Sequence, residues 1–194
     1  MSRRRVVKLG GSLLLRDDLT RRFPAWIESA SLAGKTPTET LLVVGGGKLI
    51  DAIRAIDRVR PGNPTAIHWM CVDLLTTTTR LVHDWFPHWQ LVSTPADFQK
   101  LLKQGFGTSV PALVDVSSFY SPDADGGLPT DWDTTSDAIA ALLATLVKAD
   151  ELVLLKSCDV DPQASIDELA IAGVVDQAIR RLAAEVTQIR VHRL

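Results

Sequence analysis

Residues 6–14 read Val-Val-Lys-Leu-Gly-Gly-Ser-Leu-Leu, and residues 41–51 read Leu-Leu-Val-Val-Gly-Gly-Gly-Lys-Leu-Ile-Asp. Each is a short run of valine and leucine that stops at glycines and leads into a segment of helical period. A run that is apolar at nearly every position suits a strand buried on both faces, as in a parallel sheet with helices above and below. The same alternation continues along the chain. It predicts strands at 5–9, 41–44, 90–92, 110–116, 151–155 and 188–192, and helices at 19–32, 48–59, within 66–86, at 95–104, 135–148 and 174–185. The expected fold is α/β: a three-layer αβα sandwich with a mainly parallel central sheet, forming one domain over residues 1–194.

The glycine clusters point to phosphate. Glycine lets the main chain approach an anion with no Cβ in the way, and N–H groups at the start of a helix point at it. Open α/β sheets bind ligands at the carboxyl ends of their strands, so two such turns after neighbouring strands reinforce each other. Neither turn is a GxxxxGK[ST] loop or a GxGxxG turn, which disfavours those two nucleotide folds. On this reading Gly10, Gly11, Ser12, Gly45, Gly46, Gly47 and Lys48 are candidate phosphate binders, though glycine also ends strands for purely steric reasons.

Lys8 stands out within the first strand. Two places before the glycines, it can reach a phosphoryl group and neutralise charge during transfer, or it can be an edge-strand lysine facing water. The tract Trp-Asp-Thr-Thr-Ser-Asp at 132–137 supplies good N-cap residues, with Asp137 in the first helical turn. Asp137 is then either a helix-dipole partner or a carboxylate that orients lysines or the magnesium carried by ATP.

Composition narrows the field. With 46% hydrophobic and 23% charged residues the chain reads as globular, and a formal charge of −2 argues against nucleic acid or anionic lipid as a partner. Arg3, Arg4 and Arg5 read as a solvated strand edge. Cys71 and Cys158 are far apart and in no metal-ligand spacing, so neither a disulfide framework nor a metal site is expected. No apolar run approaches the ~18 residues of a membrane span. A cytoplasmic protein with no membrane partner is the expectation.

Taken in order, the tracts at 6–14, 41–51 and 132–144 resemble the amino acid kinase superfamily, which includes acetylglutamate, aspartate, uridylate and carbamate kinases. The stretch Leu-Leu-Lys-Ser-Cys-Asp-Val-Asp at 154–161 is similar to the nucleotide-side loop of those enzymes. The resemblance implies ATP and Mg2+, a small-molecule phosphate or carboxylate acceptor, and a homo-oligomer. It implies catalytic roles for Lys8 and Asp137, phosphate binding by the glycine turns, and nucleotide binding by Lys156, Ser157, Asp159 and Asp161.

There are departures. Pro162 stands where the family usually has glycine, and no lysine follows Lys156. The family's second, late lysine is therefore Lys156, Lys48 or absent. The His-Trp-Met at 68–70, the 132–137 tract and the Gly-Val-Val-Asp at 173–176 resemble a small branch that includes the aminomethylfuran-methyl phosphate kinase of methanofuran biosynthesis. That likeness implies a phosphate-monoester acceptor bearing an amine, with Asp123, Asp125 and Asp131 as candidate amine partners. His68 and Trp69 are also readable as a buried helix start, and Trp132 as a wall of the site. A regulator of the same fold that binds nucleotide without turnover, or a carboxylate kinase, is the other expectation.

Overall fold

The computed structural model describes residues 2–32 and 36–194. Six strands form one sheet among them: β1 (Arg3–Leu9), β2 (Thr38–Val44), β3 (Gln90–Val92), β4 (Ala112–Val114), β5 (Glu151–Lys156) and β6 (Ile189–Arg193). Their order is β3-β4-β2-β1-β5-β6, and every neighbouring pair is parallel. The helices are α1 (Leu19–Leu32), α2 (Lys48–Val59), α3 (Pro64–Trp85), α4 (Pro95–Gln104), α5 (Ser136–Leu146) and α6 (Ile166–Ile171).

Alternation along the strands gives the sheet two apolar faces. Val6, Leu41, Val43, Leu152 and Leu154 face the core built with α3 and α5, while Val7, Leu9, Leu42, Val44 and Leu155 pack against Leu19, Phe23 and Ile27 of α1. Helix α5 is rich in alanine and leucine, strong helix formers, and is buried from Ser136 through Ala144. It is the central helix of its layer. No helix among the described residues is long and apolar enough to cross a membrane.

β1 is an interior strand, flanked by β2 and β5. From it the chain moves outward to β2 and then to β3 at the edge, steps back to β4 between them, and returns to add β5 and β6 on the other side. The reversal lies between β1 and β5, and a crevice opens outside the carboxyl ends of the strands at such a point.

Two expected elements are corrected. The strand foreseen at 110–116 is only Ala112–Val114. Pro111 has no N–H to give to a ladder, and the Asp115 side chain accepts from Ser117 N to start a 3-10 turn over Val116–Ser118. The helix foreseen at 174–185 is reduced to a 3-10 turn, Ala178–Arg181. Val175, Ala178, Ile179, Leu182 and Val186 are buried at helix-like spacing, but successive turns meet that pattern. Asp176 ties its start to the amino-terminal turn of α5.

Candidate active site

Lys8 pairs in register with Leu154, so Lys156 stands two residues further along the neighbouring strand and on the same face. Both ammonium groups converge on Asp137 in the first turn of α5. Lys8 Nζ lies 2.8 Å from Oδ1, and Lys156 Nζ donates to Oδ2 at 2.6 Å. The Lys156 contact is a hydrogen bond as well as an ion pair. The Lys8 contact is a close ion pair to the other carboxylate oxygen.

The three charges are almost wholly enclosed, with Lys8 at 5% and Asp137 at 3% exposure. Burial alone would raise the Asp137 carboxyl. Lys8 and Lys156 outweigh it and hold that carboxyl below its ordinary value. The Lys156 ammonium is pushed down by burial and by the Lys8 charge, with Asp137 opposing both. A buried carboxylate between two cations stays ionised and is a poor proton acceptor; what it does well is hold the two lysines in place.

The glycine turns meet over this cluster. The two turns touch backbone to backbone: a Cβ on Gly11 would lie 2.0 Å from Gly47 N. Gly47 also has φ +54, a conformation that glycine adopts at little cost. Gly45 passes so close that a Cβ there would be 3.1 Å from Lys8 Cε. The N–H groups of Gly11, Gly46 and Gly47 have no acceptor among the described residues. They are free donors beside two cations, an arrangement that suits phosphate oxygens.

The end of α5 is held from a distance. Asp133, Thr134, Thr135 and Ser136 all read as caps, yet none caps with its side chain. Instead Asp176 Oδ2 accepts from Thr135 N at 2.9 Å, Ala138 N at 2.9 Å and Thr135 Oγ1 at 2.8 Å, and its Oδ1 accepts from Ile179 N at 2.9 Å. Burial, together with the nearby Asp137 charge, raises the Asp176 carboxyl to about 6 against these hydrogen bonds. Sequence reading assigned Asp176 no role, because a cap supplied from so far along the chain has no local signal.

A cavity of about 470 Å³ joins these groups to a second wall made by α2, α3 and the 131–134 segment. Trp132 closes it, held by α2: its Nε1 donates to Asp57 Oδ2 at 2.8 Å, and the Arg54 guanidinium carbon lies 4.7 Å from a ring centroid. Arg54 lines the cavity, and sequence reading missed it too. His68 is a buried residue of the helix start, with Nε2 2.9 Å from the Tyr120 hydroxyl and Nδ1 3.3 Å from Asp131 O. Burial lowers its pKa, which favours the neutral ring.

The remaining sequence candidates divide. Gly10 and Ser12 line the cavity, and the Ser12 hydroxyl is 2.8 Å from that of Ser157. Lys48 is not brought to the cavity; its largely exposed ammonium lies 3.3 Å from Asp51. Asp159 pairs with Arg193, and Asp161 Oδ1 accepts from Gln163 N; neither lines the cavity. Of the three aspartates considered for an amine, Asp131 alone lines it, while Asp125 caps Gly127 N and Asp123 is exposed.

The amino acid kinase family model matches residues 3–162. This chain belongs to the amino acid kinase family. Among solved structures, UMP kinase from Ureaplasma parvum is similar with a TM-score of 0.66 at 15% identity, covering 100% of this chain and 91% of that one. Uridylate kinase from Archaeoglobus fulgidus gives 0.61 at 20%, covering 97% and 90%. At such identities the likeness is one of amino acid kinase fold alone. No curated protein matches the chain in sequence. The family match takes in Lys8, both glycine turns, Asp137 and Lys156, while Asp176 lies beyond its end.

Proposed function

We propose that this member of the amino acid kinase family is an ATP-dependent kinase that phosphorylates a small phosphate monoester. The observation that carries the reading is Asp137 held between Lys8 and Lys156 directly beneath the free N–H groups of two glycine turns. Terminal phosphoryl transfer breaks the bond from the γ-phosphorus to the bridging oxygen of ATP and forms one to an acceptor oxygen, giving ADP and a diphosphate. An ionised phosphate acceptor brings no proton, so no base is required. The work is positioning and charge stabilisation, which two lysines and backbone N–H donors supply.

The residues fit ATP with magnesium bound to its phosphates. Asp137 and Asp176 are already engaged, and among the described residues no group of three His, Cys, Asp or Glu has the arrangement of a metal site. When bound, magnesium would neutralise charge on the phosphates. Lys8 and Lys156 would contact the transferring group, with Asp137 fixing their spacing.

For the acceptor, Arg54 and Trp132 support an anionic, partly planar molecule: the guanidinium supplies paired donors and the indole a flat wall. Asp131 offers a partner for an amine. Together with the resemblance to the small branch, this favours an aminomethylfuran-methyl phosphate kinase. Exposed Ile56 and Val59 on α2 support a homo-oligomer.

Titration of ATP–magnesium followed by a transfer assay against aminomethylfuran-methyl phosphate, UMP, isopentenyl phosphate, acetylglutamate and aspartate tests the reading. Preferred turnover of the first is expected. Preferred turnover of a carboxylate would reject the acceptor, and binding with no turnover of any would make the chain a nucleotide-binding regulator.

A further inference from the structure

A second cavity, of about 350 Å³, lies at the other end of the same strands. It is lined by Arg3 and Arg5 of β1, Glu151 of β5, Arg190 and His192 of β6, and Trp26 of α1. Arg5 and Glu151 sit directly opposite each other at the amino ends of β1 and β5, whereas Lys8 and Lys156 stand towards the carboxyl ends. Strand alternation also puts Arg5 on the α1 face of the sheet and Lys8 on the α5 face. The two cavities are therefore separate.

The charges of this second cavity do not balance. Glu151, 2% exposed, is the one carboxylate lining it, and three guanidiniums share it: Arg5 Nε at 2.9 Å, Arg190 Nε at 3.3 Å and Arg3 Nη2 at 3.4 Å. Arg5 is itself 6% exposed, and its Nη1 is fully enclosed with no hydrogen-bond partner among the described residues. A buried guanidinium N–H without an acceptor is costly, and the partly exposed Arg3 and Arg190 add two positive charges that share the one carboxylate with Arg5. Such a group is stabilised by an anion that accepts from it. Guanidinium forks match the oxygens of phosphate, and three forks converging from two strands fix its orientation.

We propose that this cavity is a second anion site, which binds a small organic phosphate through Arg3, Arg5 and Arg190. The volume exceeds what a bare phosphate needs, and Trp26 provides an apolar wall for the attached group. No transfer chemistry is assigned to it: Lys8, Lys156 and the glycine turns are on the other face of the sheet. The site does not depend on the kinase reading, because it rests on different residues.

Isothermal titration of inorganic pyrophosphate at constant ionic strength tests the site on the full chain. The wild type, Arg190→Gln, Arg3→Gln and Lys156→Ala are compared, each checked for folding by circular dichroism. Arg190 and Arg3 are partly exposed, so their replacement separates loss of binding from loss of fold, which Arg5→Gln does not guarantee. The expected result is a saturable event weakened about tenfold or more by either arginine change and retained in Lys156→Ala. Binding that is unchanged in both arginine variants, or that vanishes only in Lys156→Ala, overturns the proposal, as does the absence of any saturable event in the wild type.

Discussion

Lys156 donates a hydrogen bond to Asp137 Oδ2 at 2.6 Å, and so fills from the end of β5 the place of a second cation beside the glycine turns. Lys8 takes the other oxygen, at 2.8 Å. The carboxylate spaces two like charges that would otherwise repel within a buried site, and the pair is held ready for a more highly charged anion.

If both lysines stabilise the transferring phosphoryl group, Lys8→Ala and Lys156→Ala should each lower kcat about a hundredfold or more, with the fold retained. Lys48→Ala, which alters an exposed ammonium paired with Asp51, should leave turnover near wild type. Steady-state transfer assays on the three variants check this ordering, and a large loss in Lys48→Ala alone would reverse the assignment.

Asp137→Asn leaves two ammonium groups buried within reach of a neutral amide. Removing one partner of a buried ionic cluster costs about 3–5 kcal/mol, so a marked drop in urea midpoint is expected. If Asp137 orients cations and takes no proton, the loss of rate should extend across the neutral pH range. Recovery of full activity at high pH would instead indicate a base.

Asp176 sets a pH dependence. Its carboxyl is raised to about 6 from 3.8, so the folded state binds this proton more tightly than the unfolded chain. The stability it contributes is complete below the unfolded value and is lost as pH rises through about 6. Asp176→Asn has no such titration. The melting temperature of wild type relative to the variant should therefore fall as pH increases over that interval, and a constant difference would refute the shift.

Gly11→Ala should act on both turns together. Its Cβ would need to occupy space 2.0 Å from Gly47 N, and a backbone atom cannot swing aside as a flexible side chain can. A destabilisation of about 1–3 kcal/mol and a loss of ATP binding out of proportion to it are expected, measured by thermal melting and titration.

If the wall formed by Trp132 and Arg54 binds the acceptor, Arg54→Ala should raise KM for a phosphate acceptor about tenfold or more while leaving KM for ATP unchanged. Equal effects on both substrates would place Arg54 outside acceptor recognition.

The sequence by itself determined the layered α/β architecture, because strands buried on both faces and helices of period 3.6 leave a local record in the pattern of apolar residues. The expected helices at 19–32, 48–59 and 95–104 coincide with α1, α2 and α4 for the same reason. Glycine turns after β1 and β2 were equally legible, since the need for a bare backbone is written at the position itself. Tertiary structure decided what depends on residues distant in the chain. Periodicity alone made 174–185 a helix; the hydrogen bonds that Asp176 accepts from Thr135 and Ala138 exist only once β5 and α6 have returned the chain to α5. The choice between Lys48 and Lys156 likewise lay outside local pattern. Parallel pairing of β1 with β5 puts Lys156 on the face of Lys8, while the start of α2 turns Lys48 outward to Asp51. Charge geometry is a property of register and strand order, and neither is encoded in any one segment.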